Sequence, residues 1–416
     1  MVRLLVTGAS GYIGQRLCEV ATGHGYEVVV LGSRPTTKCV RAFAWRIGEE
    51  PPPEAFVGVT AVIHLAHSWA NDAQYGTSSA NINLSGSETL ARAALATDVS
   101  RLIFASTTSA RLGALNAYGR IKYALEQKLM ALPGAAGRVA CARIGLVYGG
   151  PERGLYGLLS KLVRLSPLLP MIGLDRKVQP IYIDEVVAGL LSLAAGPLPQ
   201  RDGGLSNVFV LAGPEPITFE TWIRLVRRSQ TGKQIWLVPI PLQAALIACD
   251  FSRLIPFFPT VSRERVLGLV GTEPMSSAID VAALHIRIVP PINRLLSLRA
   301  EHKQIIAEAM AMLAYVSGKQ VPPKATVVRL VRGIERQSVQ SLGLPRLVTR
   351  FPALLRVFEP FRPNLEHKLA QRLHLAVMVV ESSQIERRGG TIASIGQVFL
   401  EAVAAPFRLI FGRYYA

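Results

Sequence analysis

Long uncharged hydrophobic runs are missing from this sequence. Nowhere in its 416 residues do about 18 apolar residues follow one another, the length that a membrane-spanning helix needs. The apolar start, MVRLLVTGAS, is interrupted by glycine and polar residues where the hydrophobic region of a secretory signal would continue. We therefore expect neither a spanning helix nor a signal peptide, and a cytoplasmic location.

Cysteine is scarce as well. The chain has four cysteines, far apart and without metal-ligand spacing: Cys18, Cys39, Cys141 and Cys249. Such thiols are typical of small core side chains in a reducing compartment rather than of a disulfide framework. His64 and His67 flank the end of a predicted strand, with neither a third ligand nor a carboxylate at suitable spacing. We therefore expect no metal site.

Acidic residues are few relative to basic ones. The chain has 46 Lys and Arg against 28 Asp and Glu, which gives a net charge of +18. Half of this excess lies in residues 296–416, where 17 Lys and Arg face 8 Glu and no Asp. A basic balance favours anionic partners such as nucleotides, acidic lipids or nucleic acid, without choosing among them.

The chain does contain, over residues 1–150, a regular alternation of apolar strands and amphipathic helices. This alternation predicts a parallel sheet that is covered on both faces. Pro- and Gly-rich stretches in residues 151–295 predict a smaller substrate-binding region interleaved with the first, and residues 296–416 predict a basic helical extension. The predicted class is α/β: a Rossmann-type doubly wound parallel sheet with a smaller α/β substrate domain and a C-terminal helical extension.

Three glycines mark a phosphate-binding turn in VTGASGYIGQRL, directly after the first predicted strand and at the start of a helix. Glycine is needed there because the chain turns tightly, brings its amides close to a pyrophosphate and packs the helix on the strand. Strand, glycine motif, helix and second strand follow in the order of a dinucleotide-binding unit. We predict a bound nicotinamide dinucleotide, contacted by Gly8, Ser10, Gly11, Tyr12, Ile13 and Gly14.

The second predicted strand, in YEVVVLGSRP, ends without the acidic residue that would bind a ribose 2′-hydroxyl. Arg34 follows Gly32 and Ser33 instead, and a guanidinium at that place suits a 2′-phosphate. The cofactor is therefore NADP or NAD, with NADP favoured. A solvated loop arginine is the alternative interpretation of Arg34.

Tyr118 and Lys122 lie four residues apart in AYGRIKYALEQ and so share one face of a predicted helix. A tyrosine with a pKa of about 10 is a poor proton shuttle at neutral pH. An adjacent ammonium stabilises the phenolate and lets the residue act as a general acid or base. The pair follows a strand that ends in hydroxyl side chains at the carboxyl edge of the sheet, where ligands bind.

With these motifs the sequence resembles the extended short-chain dehydrogenase/reductase family, the NAD-dependent epimerase/dehydratase-like group that contains nucleotide-sugar epimerases and dehydratases. The resemblance covers roughly the first 290 residues. It rests on Tyr118 with Lys122 and on six blocks: TGASGYIG at 7–14, VIHLA at 62–66, NLSGS at 83–87, LIFASTTS at 102–109, RIGLVYGGP at 143–151 and PIYIDEVV at 180–187.

The resemblance implies a Thr-Tyr-Lys catalytic set. Tyr118 would exchange a proton with a substrate hydroxyl or carbonyl while hydride passes to or from the nicotinamide. Lys122 would tune that phenol and bind the nicotinamide ribose. The family's catalytic Ser or Thr falls on Thr107, with Thr108 and Ser109 as neighbouring competitors.

The resemblance also implies supporting roles around the cofactor. Leu65 and Ala66 would lie against it through backbone and small side chains. Asn83 would steady the site or serve only as a helix cap, and Asp184 is expected to be a structural carboxylate.

Two positions depart from the family pattern. Leu146 stands where sugar-nucleotide enzymes usually carry Asn, and AlaArgLeuGly at 110–113 replaces a VYG segment. We therefore expect an NAD(P)-dependent oxidoreductase, epimerase or dehydratase acting on a small molecule, such as a nucleotide sugar. An NADP-dependent carbonyl reductase of a non-sugar substrate is one alternative. The other is a non-catalytic dinucleotide-binding scaffold that resembles accessory subunits of respiratory complex I.

The residues from 296 onward lie outside the resemblance. Stretches such as LPRLVTRFPALLRVFEPFR mix Arg with Leu, Val and Phe at near-helical spacing. Such helices could lie on an anionic membrane as a peripheral contact, or pack on the main body or in a homodimer interface with their arginines outward. No specific nucleic-acid binding is expected, because interleaved stacking aromatics are not evident.

Overall fold

The computed structural model describes residues 2–33, 39–69, 81–150, 153–196, 198–199, 207–251, 263–318, 321–337, 341–358 and 363–388. The chain divides into two compact units, Met1–Leu295 and Leu296–Ala416. Each unit has a hydrophobic core of its own, and each is described separately below.

The strands lie in the first unit. In chain order they are β1 Arg3–Thr7, β2 Glu27–Leu31, β3 Arg41–Phe43, β4 Ala61–His64, β5 Arg101–Thr107, β6 Val139–Ile144, β7 Leu146–Tyr148, β8 Leu168–Met171, β9 Lys177–Val178, β10 Pro180–Tyr182, β11 Val208–Leu211, β12 Ile217–Thr218 and β13 Trp236–Pro239.

A parallel sheet of seven strands forms the centre of the first unit, in the spatial order β11-β6-β5-β4-β1-β2-β3. Chain connections run outward from β1 in both directions, so the strand order reverses between β1 and β4. The carboxyl ends of strands at such a reversal form the crevice in which open α/β sheets bind ligands. This topology places the glycine-rich turn after β1 and the segment after β4 at one edge.

The described helices, in chain order, are α1 Tyr12–Gly23, α2 Ile82–Leu95, α3 Ala117–Met130, α4 Gly154–Leu165, α5 Ile183–Ala195, α6 Phe219–Thr231, α7 Leu242–Phe251, α8 Arg263–Val270, α9 Ala278–Ala283, α10 Pro291–Ser317, α11 Lys324–Gln337, α12 Arg346–Arg350, α13 Leu355–Phe358 and α14 Pro363–Arg388. Asn81 caps α2 by accepting a hydrogen bond from the Asn83 amide, and Asn116 caps α3 by accepting one from Gly119. Such caps satisfy amides that the helix itself leaves unpaired.

Successive side chains along the strands point alternately into two hydrophobic cores, one on each face of the sheet. On β1, Leu4 and Val6 enter one core and Leu5 enters the other. Helices α1 and α5 cover the first face, and α2 and α3 cover the second. Because both faces are covered, the strands are apolar throughout, as the sequence pattern predicted.

Three two-stranded sheets lie beside the central sheet, formed by β7 with β10, β8 with β13 and β9 with β12. All of their strands except β7, at Leu146–Tyr148, lie in the Pro- and Gly-rich part of the chain. The parallel central sheet, the helices on both faces, the small sheets and the C-terminal helices confirm the predicted α/β fold class, a Rossmann-type doubly wound sheet with a helical extension.

The second unit is helical over its described residues, which comprise most of α10 and all of α11 to α14. Its core contains Leu313, Leu330, Ile334, Leu355 and Leu373. Among the described residues no helix has the length and apolar character needed to cross a membrane.

Candidate active site

The turn after β1 admits only glycine at two positions. Gly8 has a φ of +67°, and a Cβ there would lie 2.8 Å from the backbone nitrogen of Ala66 and from the carbonyl carbon of Leu65. A Cβ on Gly14 would lie 2.2 Å from the carbonyl oxygen of Gly8. The turn therefore packs directly against the Leu65–Ala66 segment after β4, and α1 packs on the turn.

The N-terminus of α1 is open to an anion. Gly11 is the N-cap and supplies no side-chain hydrogen bond, and the first turn contains no acidic residue. Among the described residues, therefore, neither a side-chain cap nor an acidic side chain of the first turn competes with an anion for the first amides and the positive dipole end of this helix. This cradle fits the pyrophosphate of a dinucleotide.

Other predicted cofactor contacts lie on the same turn and helix. Ser10 and Gly11 are exposed, whereas Tyr12 and Ile13 are half-buried. The Tyr12 hydroxyl donates a hydrogen bond to the carbonyl of Gly149, and burial raises the pKa of this phenol. Tyr12 thus ties α1 to the loop after β7.

An arginine that the sequence motifs did not single out lies at this turn. Arg153, the N-cap residue of α4, donates from Nη1 to the carbonyl oxygen of Ser10 at 3.3 Å. Its guanidinium adds positive charge beside the open helix end. The signal in the sequence was weak, because 143 positions separate Arg153 from Ser10. Arg34, the predicted 2′-phosphate contact, lies outside the described residues.

A buried polar network supports the turn from behind. The Thr7 hydroxyl lies 2.7 Å from Nδ1 of His64 and accepts hydrogen bonds from the Leu65 and Ala66 amides, each at 3.2 Å. Nε2 of His64 lies 2.9 Å from the Ser87 hydroxyl. Both ring nitrogens of His64 therefore have a hydrogen-bond partner, and the network joins β1, β4 and α2.

Burial, with smaller contributions from Lys122 and His67, lowers the pKa of His64 to about 3. The imidazole is therefore neutral near pH 7. Among the described residues no group of three His, Cys, Asp or Glu could hold a metal ion.

Tyr118 and Lys122 lie on α3, whose start is fixed by two caps. The Asn116 side chain accepts from the Gly119 amide at 3.3 Å, and the Glu264 carboxylate accepts from the Ala117 amide at 2.7 Å. The two amides that these side chains bind, those of Ala117 and Gly119, adjoin Tyr118 in the chain. The position of the phenol is therefore set by residues from two separate parts of the first unit.

The ammonium of Lys122 is 5.7 Å from the centre of the Tyr118 ring and 4.4 Å from that of Phe104. Its Nζ donates to the carbonyl oxygen of Ala105 at 2.7 Å, and the residue is 2% exposed. The helix thus brings phenol and ammonium together, as their spacing indicates.

An aromatic pair from the segment after β4 contacts Tyr118. The Trp69 ring stacks on it, with ring centres 4.7 Å apart and planes inclined by 23°. The His67 ring meets it edge-on, with centres 5.0 Å apart. Asn83 holds the residue between them, because its side chain accepts from the Ser68 amide at 2.7 Å and donates to the Ser68 carbonyl at 3.0 Å. Asn83 therefore fixes Ser68, whereas the cap of α2 is Asn81.

Hydroxyl side chains follow one another at the end of β5. Thr107 is half-buried, and its hydroxyl accepts from the Ser109 amide at 3.3 Å. Thr108 is buried, and the Ser109 hydroxyl lies 3.2 Å from that of Thr272. Ser109 is thus engaged with Thr272, while Thr107 lies at the carboxyl end of the strand next to β4.

A buried ion pair lies behind this strand. Both carboxylate oxygens of Glu126 accept from Arg143, with the shortest contact at 2.6 Å, and the Ser106 hydroxyl donates to the same carboxylate. Glu126 is completely buried. The hydrogen bonds to Glu126 raise the pKa of Arg143. The pair joins α3 to β6 one helical turn beyond Lys122.

Asp184 forms a bidentate ion pair with Arg16, at 2.6 Å and 2.9 Å. The contact links α5 to α1, the helix that follows the glycine-rich turn. Its geometry is that of a clamp between two elements.

Residues 4–208 match the sequence model of the NAD dependent epimerase/dehydratase family. An L-arabinose 1-dehydrogenase (NAD(P)(+)) from Haloferax volcanii is 35% identical over 107 residues, which cover 26% of this chain and 41% of that protein. A 2-alkyl-3-oxoalkanoate reductase from Stenotrophomonas maltophilia is 26% identical over 209 residues, which cover 44% of this chain and 62% of that one. The chain thus spans less than two thirds of the length of either relative.

Solved structures of similar fold include a UDP-N-acetylglucosamine 4-epimerase from Bacillus cereus, with a TM-score of 0.53 and 15% identity over 72% of this chain and 99% of that one. Another is the human epimerase family protein SDR39U1, solved with NADPH, with a TM-score of 0.54 and 17% identity over 71% and 98% of the two chains. At this identity the likeness concerns the fold alone. Through residues 4–208, the chain belongs to the NAD dependent epimerase/dehydratase family.

Proposed function

We propose that the first unit is an NAD(P)-dependent oxidoreductase that acts on a hydroxyl or carbonyl group of a small molecule in the cytoplasm. The observation that carries this proposal is the coexistence of two features in one unit. One is the open, glycine-lined start of α1, and the other is a phenol with a buried ammonium on α3. A protein that only bound a dinucleotide would need the first feature but not the second.

The roles follow from the chemistry of each group. Gly8, Gly11 and Gly14 would hold the pyrophosphate, and the bound nicotinamide would supply or accept hydride. Tyr118 would give a proton to the substrate oxygen during reduction, or take one during oxidation. Lys122, held by the Ala105 carbonyl, stabilises the phenolate that this exchange leaves behind.

Thr107 would hydrogen-bond to the same reacting oxygen and so fix the substrate against Tyr118. Its place at the end of β5, the strand beside β4, supports this role. The engagement of Ser109 with Thr272 makes Ser109 the weaker candidate.

For the substrate we favour a sugar or ketone that carries no nucleotide. Leu146 stands where a polar contact to a sugar nucleotide is expected, and the aromatic rings of His67 and Trp69 adjoin the phenol. The two relatives are named as an arabinose dehydrogenase and an oxoalkanoate reductase, which agrees with this choice. Turnover of a nucleotide sugar in place of a free sugar or ketone would contradict this choice.

The test follows nicotinamide absorbance with a panel of sugars, ketones and nucleotide sugars. Once a substrate is found, Tyr118→Phe should lower kcat by at least about a hundredfold while leaving the Kd for NADPH within about twofold. Tyr123→Phe, on the same helix, is the matched control and should retain turnover. Unchanged kcat in Tyr118→Phe would remove the phenol from the mechanism.

We further propose NADP as the preferred cofactor, on the basis of Arg34 and the missing acidic residue after β2. Replacing Arg34 with Ala should weaken NADP binding by at least about tenfold and leave NAD binding within about twofold, because only NADP carries the 2′-phosphate. Equal losses for both nucleotides would contradict this preference.

A dinucleotide-binding scaffold is the second candidate, and the Trp69 ring that covers one side of Tyr118 favours it. A scaffold would leave the oxidation state of added nicotinamide unchanged in a crude metabolite extract. Under that interpretation wild type and Tyr118→Phe would be indistinguishable in the same extract.

A further inference from the structure

One segment of the second unit exposes apolar side chains that its core does not use. Between Leu344 and Val357 the chain buries Leu344, Val348 and Leu355 at 3% exposure or less. These three residues belong to the core of the second unit. Between and beyond them, three large apolar side chains lie more than half exposed: Leu347 at 62%, Phe351 at 54% and Val357 at 58%. The core of the second unit does not include these three side chains, so their exposure needs another explanation.

The same segment is basic. Arg346, Arg350 and Arg356 are exposed and alternate with the apolar residues along α12, the turn Pro352–Leu354 and α13. None of the three forms an ion pair within the part of the chain that the structure describes. Residues 341–358 contain no Asp or Glu. Unpaired guanidinium groups thus lie beside exposed Leu, Phe and Val side chains in a stretch free of negative charge.

This combination matches the interface of an anionic bilayer. Apolar side chains enter the boundary between headgroups and acyl chains, and neighbouring arginines contact lipid phosphates. Nucleic acid fits less well, because Leu347 and Val357 offer no ring on which a base could stack. The 17 Lys and Arg against 8 Glu in residues 296–416 add a long-range attraction of the same sign.

We propose that Arg346, Leu347, Arg350, Phe351, Arg356 and Val357 form a docking surface for membranes that contain anionic phospholipid. Docking of this kind is peripheral. It holds the second unit at the bilayer surface through shallow insertion and charge together, and a surface that needs both binds neither neutral bilayers nor soluble anions strongly.

The experiment is co-sedimentation of the full chain with vesicles. Vesicles of equal parts phosphatidylcholine and phosphatidylglycerol should bind the wild type, and vesicles of phosphatidylcholine alone should not. The triple variant Leu347→Ser, Phe351→Ser, Val357→Ser and the triple variant Arg346→Gln, Arg350→Gln, Arg356→Gln should each bind at least about tenfold more weakly. Added salt should weaken the wild type further.

Matched controls distinguish binding by this surface from a general effect of net charge or of exposed hydrophobic side chains. Arg46→Gln, Lys161→Gln, Lys233→Gln removes three exposed cations of the first unit, and Val57→Ser, Leu165→Ser, Ile279→Ser removes three exposed apolar side chains there. Both controls should bind vesicles within about twofold of wild type. An unchanged NADPH titration in every variant shows that the first unit is intact.

Three results overturn the proposal. The first is vesicle binding that survives both substitutions of the docking surface. The second is wild-type binding to neutral vesicles as strong as to anionic ones. The third comes from light scattering: a wild-type dimer that the apolar triple variant converts to monomer would assign this surface to a second copy of the chain.

Discussion

His64 shows how one buried side chain couples the glycine-rich turn to pH. Its imidazole links Thr7 on β1 to Ser87 on α2, and burial lowers its pKa to about 3. An unfolded histidine has a pKa of about 6.5. As pH falls below that value the unfolded chain binds a proton that the folded chain excludes. The free energy of unfolding therefore decreases from about pH 6.5 down to about pH 3.

Replacing His64 with Asn should reduce this pH dependence, because an amide does not titrate. Between pH 7 and pH 5, the loss of unfolding free energy should be smaller in His64→Asn than in wild type by about 2 kcal/mol. Urea unfolding at the two pH values measures it, and His24→Asn, at an exposed position, is the control. The same pH dependence in wild type and His64→Asn would show that His64 is not the proton-linked group.

Sequence reasoning succeeds for residues whose roles depend on local geometry. Gly8 and Gly14 follow from the turn that their own neighbours make, and Lys122 follows from helical spacing to Tyr118. Trp69 could not be found in this way. Its contact with Tyr118 requires the segment after β4 to reach the start of α3, and the hydrogen bonds between Asn83 and Ser68 add another non-local link. Nothing in the residues around Trp69 indicates either partner.

At the scale of elements, α3 matters most because it carries both Tyr118 and Lys122. Its position depends on its caps at one end and on the Glu126–Arg143 pair further along. The sequence predicted the helix, since its apolar spacing is plain, but not the pair. Glu126 resembles any surface glutamate until β6 brings Arg143 against it, and a buried carboxylate needs such a partner.

Removing the charge of Glu126 should therefore cost far more stability than removing a surface charge on the neighbouring helix. Glu126→Gln leaves Arg143 largely buried without its counter-ion and should lower the free energy of unfolding by about 2 kcal/mol or more. Glu88→Gln, which loses pairs with the more exposed Arg92 and Lys128, should cost less than about 1 kcal/mol. Urea unfolding at pH 7 compares the two variants. Equal losses of unfolding free energy would show that the buried pair contributes no more to stability than the surface pairs.

At the scale of the whole molecule, the chain is two units with separate cores. In the second unit, Glu308 is completely buried, and its carboxylate accepts hydrogen bonds from the Leu342 and Leu344 amides at 2.9 Å and 3.0 Å. Arg372 lies 3.5 Å from the same carboxylate. This hub joins α10 and α14 to the loop before α12. The sequence predicted the helices of this unit but not these contacts, because those of Glu308 with Leu342, Leu344 and Arg372 span from 34 to 64 positions.

Glu308→Gln should destabilise the second unit by about 2 kcal/mol, because an amide cannot accept all of these hydrogen bonds. Hydrogen exchange should quicken in peptides from residues 296–388 and stay unchanged in β1, β4 and β5. Glu381→Gln, at an exposed position on α14, should change neither the stability of the second unit nor its hydrogen exchange. Faster exchange throughout the chain would mean that the two units unfold as one.

The central claim is that the turn after β1 and the open end of α1 bind a nicotinamide dinucleotide. The most direct measurement is a fluorescence titration of NADPH against wild type, Gly14→Ala and Gly23→Ala. A Cβ on Gly14 would meet the Gly8 carbonyl, whereas one on Gly23, at the other end of the same helix, meets nothing within 4 Å. We expect Gly14→Ala to bind at least about tenfold more weakly, a loss of about 1.4 kcal/mol or more, and Gly23→Ala to bind as wild type does. Equal affinity in all three proteins would contradict the claim.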